Sequence, residues 1–104
     1  MPLNASLIDG QDSLILAFDG NLDFSVARDV FAAIRRATGE LKTCIIDLSD
    51  VDRVFDSGVA LLQLLCFRLR ELNVRFAIKT GRPNVHEQIM GIGSGASEKS
   101  TIPA

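Results

Sequence analysis

The tightest constraint in this chain is the order in which strand-like and helix-like apolar patterns follow one another. Ala5 to Ile8 and Ser13 to Phe18 read as two strands, with Asp9-Gly10-Gln11-Asp12 between them as a hairpin turn. In the second, Leu14, Leu16 and Phe18 take one face while Ile15 and Ala17 take the other, so each face is expected to be at least partly covered. Asp19-Gly20-Asn21 is expected to break this strand. Asp23 or Ser25 can then cap a helix reaching about Thr38, since Val26, Val30, Ile34 and Ala37 recur at helical spacing. Arg35 and Arg36 suit the negative end of its dipole, and Gly39 suits its stop.

Thr43-Cys44-Ile45-Ile46, ending in Asp47-Leu48-Ser49-Asp50, predicts a central buried strand. After Val54-Phe55-Asp56-Ser57-Gly58 the spacing predicts a helix from Ser57 to Leu72, closed by Asn73. Val74 to Lys79 alternates as a strand, and Thr80-Gly81-Arg82-Pro83 forms a turn. Pro83 opens a short last helix with Val85 and Ile89 on its apolar edge. The order β-β-α-β-α-β-α predicts an α/β fold with a mixed four-stranded sheet packed against helices. The hairpin is antiparallel, and each β-α-β step gives a parallel pair. One domain is expected over residues 1–92, with a poorly packed tail over 93–104, where Gly, Ser and charged residues dominate.

Composition narrows the function. A chain of 104 residues suits one domain, and 47% apolar with 23% charged residues suits a globular one. The net charge of −2, with Lys and Arg scattered, offers no basic face for nucleic acid. The apolar stretch Val59 to Leu65 is interrupted by Gln63 and is too short to span a membrane. Met-Pro-Leu-Asn has neither a basic start nor an apolar segment behind it, which makes a cytoplasmic protein the expectation. Cys44 and Cys66 sit in apolar segments, outside any CxxC pair and with His86 as the single histidine, so buried reduced thiols are expected and no metal or cofactor. Asp56-Ser57-Gly58 lacks the context of a nucleophile elbow for a triad with His86. Gly91-Ile92-Gly93-Ser94-Gly95 follows a helix, whereas a phosphate cradle precedes one. No enzyme is expected.

Two features remain. Asp23, Asp47 and Asp56 fall at strand ends and helix starts, either as caps and turn formers or as an acidic pocket around Ser57. Ser57 itself is either an N-cap or a phosphoacceptor. On the second helix, Leu61, Leu62, Leu65, Cys66, Leu69 and Leu72 form a stripe that covers the sheet. Val59, Ala60, Leu64 and Phe67 fall on the other side, to be covered by the last helix, by the N-terminal segment or by a partner.

The run Asp47-Leu48-Ser49-Asp50-Val51-Asp52-Arg53-Val54-Phe55-Asp56-Ser57-Gly58-Val59-Ala60-Leu61-Leu62 resembles the signature of STAS domains, the anti-sigma factor antagonist family. Gly20-Asn21-Leu22-Asp23 resembles the family's step before its first helix. The usual Asp-Ser-Ser-Gly or Asp-Ser-Thr-Gly is here Phe55-Asp56-Ser57-Gly58. The resemblance implies a bacterial, non-enzymatic partner-switching protein. It would bind an anti-sigma factor that is also a serine kinase, be phosphorylated on Ser57 and so released, and be restored by a phosphatase. Asp23, Asp47 and Asp56 would lie near the acceptor. Gly58, Val59, Ala60, Leu64 and Phe67 would form the docking surface, which a homodimer contact is the other way to fill. The alternative within the family is an unphosphorylated structural subunit of a bacterial phospholipid-transport ABC complex.

Overall fold

The computed structural model describes residues 3–8, 12–37, 41–90 and 101–102. Strand β1 (Leu3–Ile8) pairs antiparallel with β2 (Ser13–Leu22), with Leu3 opposite Phe18 and Ile8 opposite Ser13. The turn expected at Asp9-Gly10-Gln11 and the helix stop at Thr38-Gly39 lie outside the described residues. Strands β3 (Thr43–Val54), β4 (Arg75–Thr80) and β5 (Thr101–Ile102) then add in parallel, giving the order β1-β2-β3-β4-β5. The sheet therefore departs from the expected four strands. A parallel trio, β2-β3-β4, is flanked by β1 on one side and by β5 on the other. The outer edge of β4 is an open ladder, and Thr101-Ile102, from the segment expected to be an unpacked tail, are good strand formers that occupy it.

Two strands run past their expected ends, β2 to Leu22 and β3 to Val54. Asp, Gly and Asn disfavour strand locally, yet the gain from burying Leu22, Leu48, Val51 and Val54 prevails. The ladder absorbs the misfit through register shifts between Ala17 and Asp19 and between Gly20 and Asn21. Gly20 sits there at φ +69°, which a residue without Cβ adopts at little cost. The segment read as a strand breaker is a bulge within a strand.

The register aligns Leu14, Cys44 and Phe76, then Leu16, Ile46 and Ile78, on one buried sheet face. A 3₁₀ turn (Phe24–Val26) leads into α1 (Ala27–Ala37), followed later by α2 (Asp56–Glu71) and α3 (Pro83–Ile89). Their residues Val30 and Ile34, Leu61, Leu62, Leu65 and Leu69, and Val85 and Ile89 join the same core. The strand order advances steadily from β1 to β5, and the buried residues of all three helices belong to one core. On the other face, Ile15, Ala17, Ile45 and Ala77 are half-buried, and Arg75 and Lys79 are exposed.

Each buried leucine of α2 contributes roughly 1.5–3 kcal/mol, which seats this helix on the sheet. Asn73 closes it at φ +59°, as its sequence position foretold. Helix α3 secures the end of β3, the strand that feeds α2. The Val54 amide donates to Gln88 Oε1 (3.0 Å), and Gln88 Nε2 donates to the Val54 carbonyl (2.8 Å). Asn84 Nδ2 donates to the Asp52 carbonyl (2.9 Å), and Arg82 pairs with the Asp52 carboxylate (2.9 Å).

Candidate functional site

The chain passes from β3 into α2 through Phe55, whose backbone is extended and whose side chain caps nothing. The helix starts at Asp56, so Ser57 is its second residue and does not cap it, contrary to one of the two sequence readings. The reason is a backbone tie. The Phe55 amide donates to the Leu22 carbonyl (2.9 Å), which draws the helix start against the end of β2. Gly58 sits directly on that carbonyl, where a Cβ would collide with Leu22 and approach Val54 Cγ1 to 3.0 Å. Ser57 is consequently exposed, and its hydroxyl oxygen accepts from the Phe24 amide at 3.2 Å.

Of the three acidic residues expected around Ser57, Asp56 is its chain neighbour and Asp23 precedes Phe24, whose amide donates to Ser57 Oγ. Asp23 precedes Phe24 and caps the 3₁₀ turn, accepting from the Ser25 hydroxyl and from the Ser25 amide (2.9 Å). Those bonds hold its carboxyl below the ordinary value. Asp56 is the exposed chain neighbour, in the first helical turn where its charge suits the dipole. Asp47 is not in the pocket. It lies mid-strand, opposite Ala17 and Lys79, roughly 20 Å down β3 from Val54 at about 3.3 Å per residue. Because β3 continues to Val54, the strand end that the sequence suggested at Asp47 lies elsewhere. Partial burial works to raise its carboxyl, but the Ser49 hydroxyl, the Ser49 amide (2.9 Å) and the Lys79 charge outweigh that and lower it.

The structure divides the five residues expected to form a docking surface. Ala60, Leu64 and Phe67 are exposed, with Leu64 at 47% and Phe67 at 53%. With Ser57 they recur at three- and four-residue steps along one face of α2. Gly58 and Val59 do not belong to it: Gly58 is buried against Leu22, and Val59 packs on the core. Two exposed rings were missed by sequence reasoning, Phe24 at 45% and Phe55 at 38%. Phe24 opens the three-residue 3₁₀ turn and Phe55 links β3 to α2, both too short for a periodicity that assigns a face. The Arg53 guanidinium stands 5.9 Å from the Phe55 ring centroid.

His86 Nδ1 faces Thr80 Oγ1 at 3.4 Å, while Ser57 Oγ accepts from the Phe24 amide. Cys44 and Cys66 are buried. Burial pushes the Cys44 thiol up to about 12, with Cys66 adding to the rise, and pushes Cys66 up to about 11. Among the described residues no cluster of metal-ligating side chains occurs, and no helix is long and apolar enough to cross a membrane.

A family model, that of the STAS domain, matches residues 5–95. The chain belongs to the STAS domain family. Solved structures agree with the STAS assignment. The anti-sigma factor antagonist SpoIIAA in its unphosphorylated form superposes with a TM-score of 0.74 at 20% identity, covering 98% of this chain and 87% of that one. A serine-to-glutamate variant of RsbS from Moorella thermoacetica gives 0.74 at 21% identity, covering 100% and 86%. The phosphorylated form of the Bacillus cell fate determinant SpoIIAA gives 0.70 at 18%, covering 98% and 90%. At these identities the likeness speaks for the fold. A comparison with curated protein sequences found no match.

Proposed function

We propose that this STAS domain is an anti-sigma factor antagonist that works by partner switching, with Ser57 as its phosphoacceptor and no turnover of its own. The observation that carries the reading is an exposed serine hydroxyl heading an exposed apolar stripe, Ala60-Leu64-Phe67, on one face of a helix whose other face is buried in the core. A protein partner seated on that stripe would cover the Ser57 hydroxyl. Phosphorylation there adds a charge of about −1.5 to −2 beside Asp56 and Asp23. Placing that charge in a desolvated contact is unfavourable, so the partner leaves while the fold stands. Structural neighbours described in phosphorylated and unphosphorylated forms, and one carrying glutamate for serine, fit this reading.

The partner would be an anti-sigma factor with serine kinase activity, and a phosphatase would restore the hydroxyl. The test is mass spectrometry on the tagged protein recovered from its own cells, reading co-purified proteins and Ser57 occupancy together. Recovery of a serine kinase, Ser57→Ala retaining it and Ser57→Asp losing it are the expected results. Equal recovery by all three forms would refute the proposal. An ABC-type ATPase with Ser57 unmodified would instead make the chain a structural subunit.

A further inference from the structure

Between Leu22 and Val26, both buried, the chain crosses the head of α2 on the half-buried Asp23 and the exposed Phe24 and Ser25. Two devices hold them. The Asp23 carboxylate gathers the Ser25 amide and hydroxyl and so winds the 3₁₀ turn. The Phe24 amide donates sideways to Ser57 Oγ. Phe24 is 45% exposed, so burial covers only part of it. We propose that Ser57 is a positioning residue for Phe24. Its hydroxyl oxygen latches the 23–25 segment to α2, and modification of that oxygen releases Phe24 from its place at the head of the Leu64–Phe67 stripe. The docking surface then changes shape as well as charge. The regulatory half of this inference rests on Ser57 being a phosphoacceptor; the latch itself does not.

The chemistry of the modification undoes both devices. In phosphoryl transfer, Ser57 Oγ bonds to the γ-phosphorus of a nucleoside triphosphate held by the kinase. The bond from that phosphorus to the leaving diphosphate breaks, and the hydroxyl proton passes to a base of the kinase. The esterified Oγ is a poorer acceptor, and the strong acceptors are now terminal oxygens farther out. The Phe24 amide must move to follow them or lose its bond. The same oxygens repel the Asp23 carboxylate, which is what winds the turn around Ser25.

Amide hydrogen exchange on the full chain, read by NMR without any partner, tests this. Ser57→Ala should speed exchange at Phe24 by roughly 2- to 10-fold, the factor expected for one neutral hydrogen bond. Ser57→Thr keeps the hydroxyl and should restore protection, while Leu61 and Leu65 in α2 should be unchanged throughout. Ser57→Glu should in addition speed exchange at Ser25, and Asp23→Asn in that background should reverse this. Equal Phe24 exchange in the parent and Ser57→Ala would overturn the latch and leave partner switching at Ser57 standing. Equal Ser25 exchange in Ser57→Glu and Ser57→Ala would overturn the charge route. Ser57 found unmodified in cells would overturn the regulatory half alone.

Discussion

Gly58→Ala isolates the contact on which the site is built. In an ordinary helix interior this change stabilises by about 1 kcal/mol, because alanine is the better helix former. Here the added methyl would lie 2.9 Å from the Leu22 carbonyl carbon, closer still to its oxygen, and 3.0 Å from Val54 Cγ1. A backbone carbonyl cannot rotate aside as a side chain can, so the start of α2 must retreat by about 1 Å to restore normal contact. That retreat stretches the Phe55 amide from the same carbonyl, now at 2.9 Å. Overpacking costs about 1–3 kcal/mol, and a weakened backbone bond about 1 kcal/mol or more. Set against the propensity gain, the net loss should be about 1–3 kcal/mol. For a domain of this size that lowers the melting temperature by roughly 5–20 °C. Thermal and urea unfolding followed by circular dichroism would measure it, with the urea slope unchanged. Ala60→Gly, two residues on and exposed, is the contrasting variant and should cost only about 1 kcal/mol. A Gly58→Ala protein that melts at or above the parent would refute the close approach.

Further expectations follow from the same geometry. Leu64→Ser and Phe67→Ser remove exposed groups, so each should change stability by about 0.5 kcal/mol or less while weakening recovery of the protein partner. Gln88→Ala deprives both backbone groups of Val54 of their partners and should cost about 1–3 kcal/mol in urea unfolding. The Asp47 carboxyl is lowered in the fold, so its contribution is present above the unfolded value and is lost as pH falls through the folded one. Acid unfolding below about pH 4 should therefore be shallower in Asp47→Asn than in the parent. The raised Cys44 and Cys66 thiols should resist an aromatic disulfide reagent at pH 8 in the native protein and react on unfolding. Their linkage has the opposite sign, with stability lost as pH rises from about 9 toward the folded values.

The local patterns settled what most of the helical segments are. Val30 and Ile34, the Leu61-Leu62-Leu65-Leu69 stripe, Pro83 at a helix start and Asn73 at a helix end behave in the structure as their spacing and backbone preferences require. These depend on neighbours within one or two turns, which a sequence displays directly. The exposed stripe of Ala60, Leu64 and Phe67 was legible for the same reason: a helix with two apolar strips can bury only one against a sheet. Where β2 and β3 end was decided by tertiary structure. Asp19-Gly20-Asn21 and Asp47-Leu48-Ser49-Asp50 carry local signals for turns, but pairing with a neighbouring strand and burial of Leu22, Leu48, Val51 and Val54 overrode them. That extension moves Asp47 away from Ser57, and it lets the Leu22 carbonyl meet Phe55 and Gly58 across the head of α2. The place of Ser57, second in its helix and bonded to Phe24, follows from contacts between residues more than thirty positions apart. No period in the sequence encodes such a contact, because it exists only once the sheet has brought the two chain segments together.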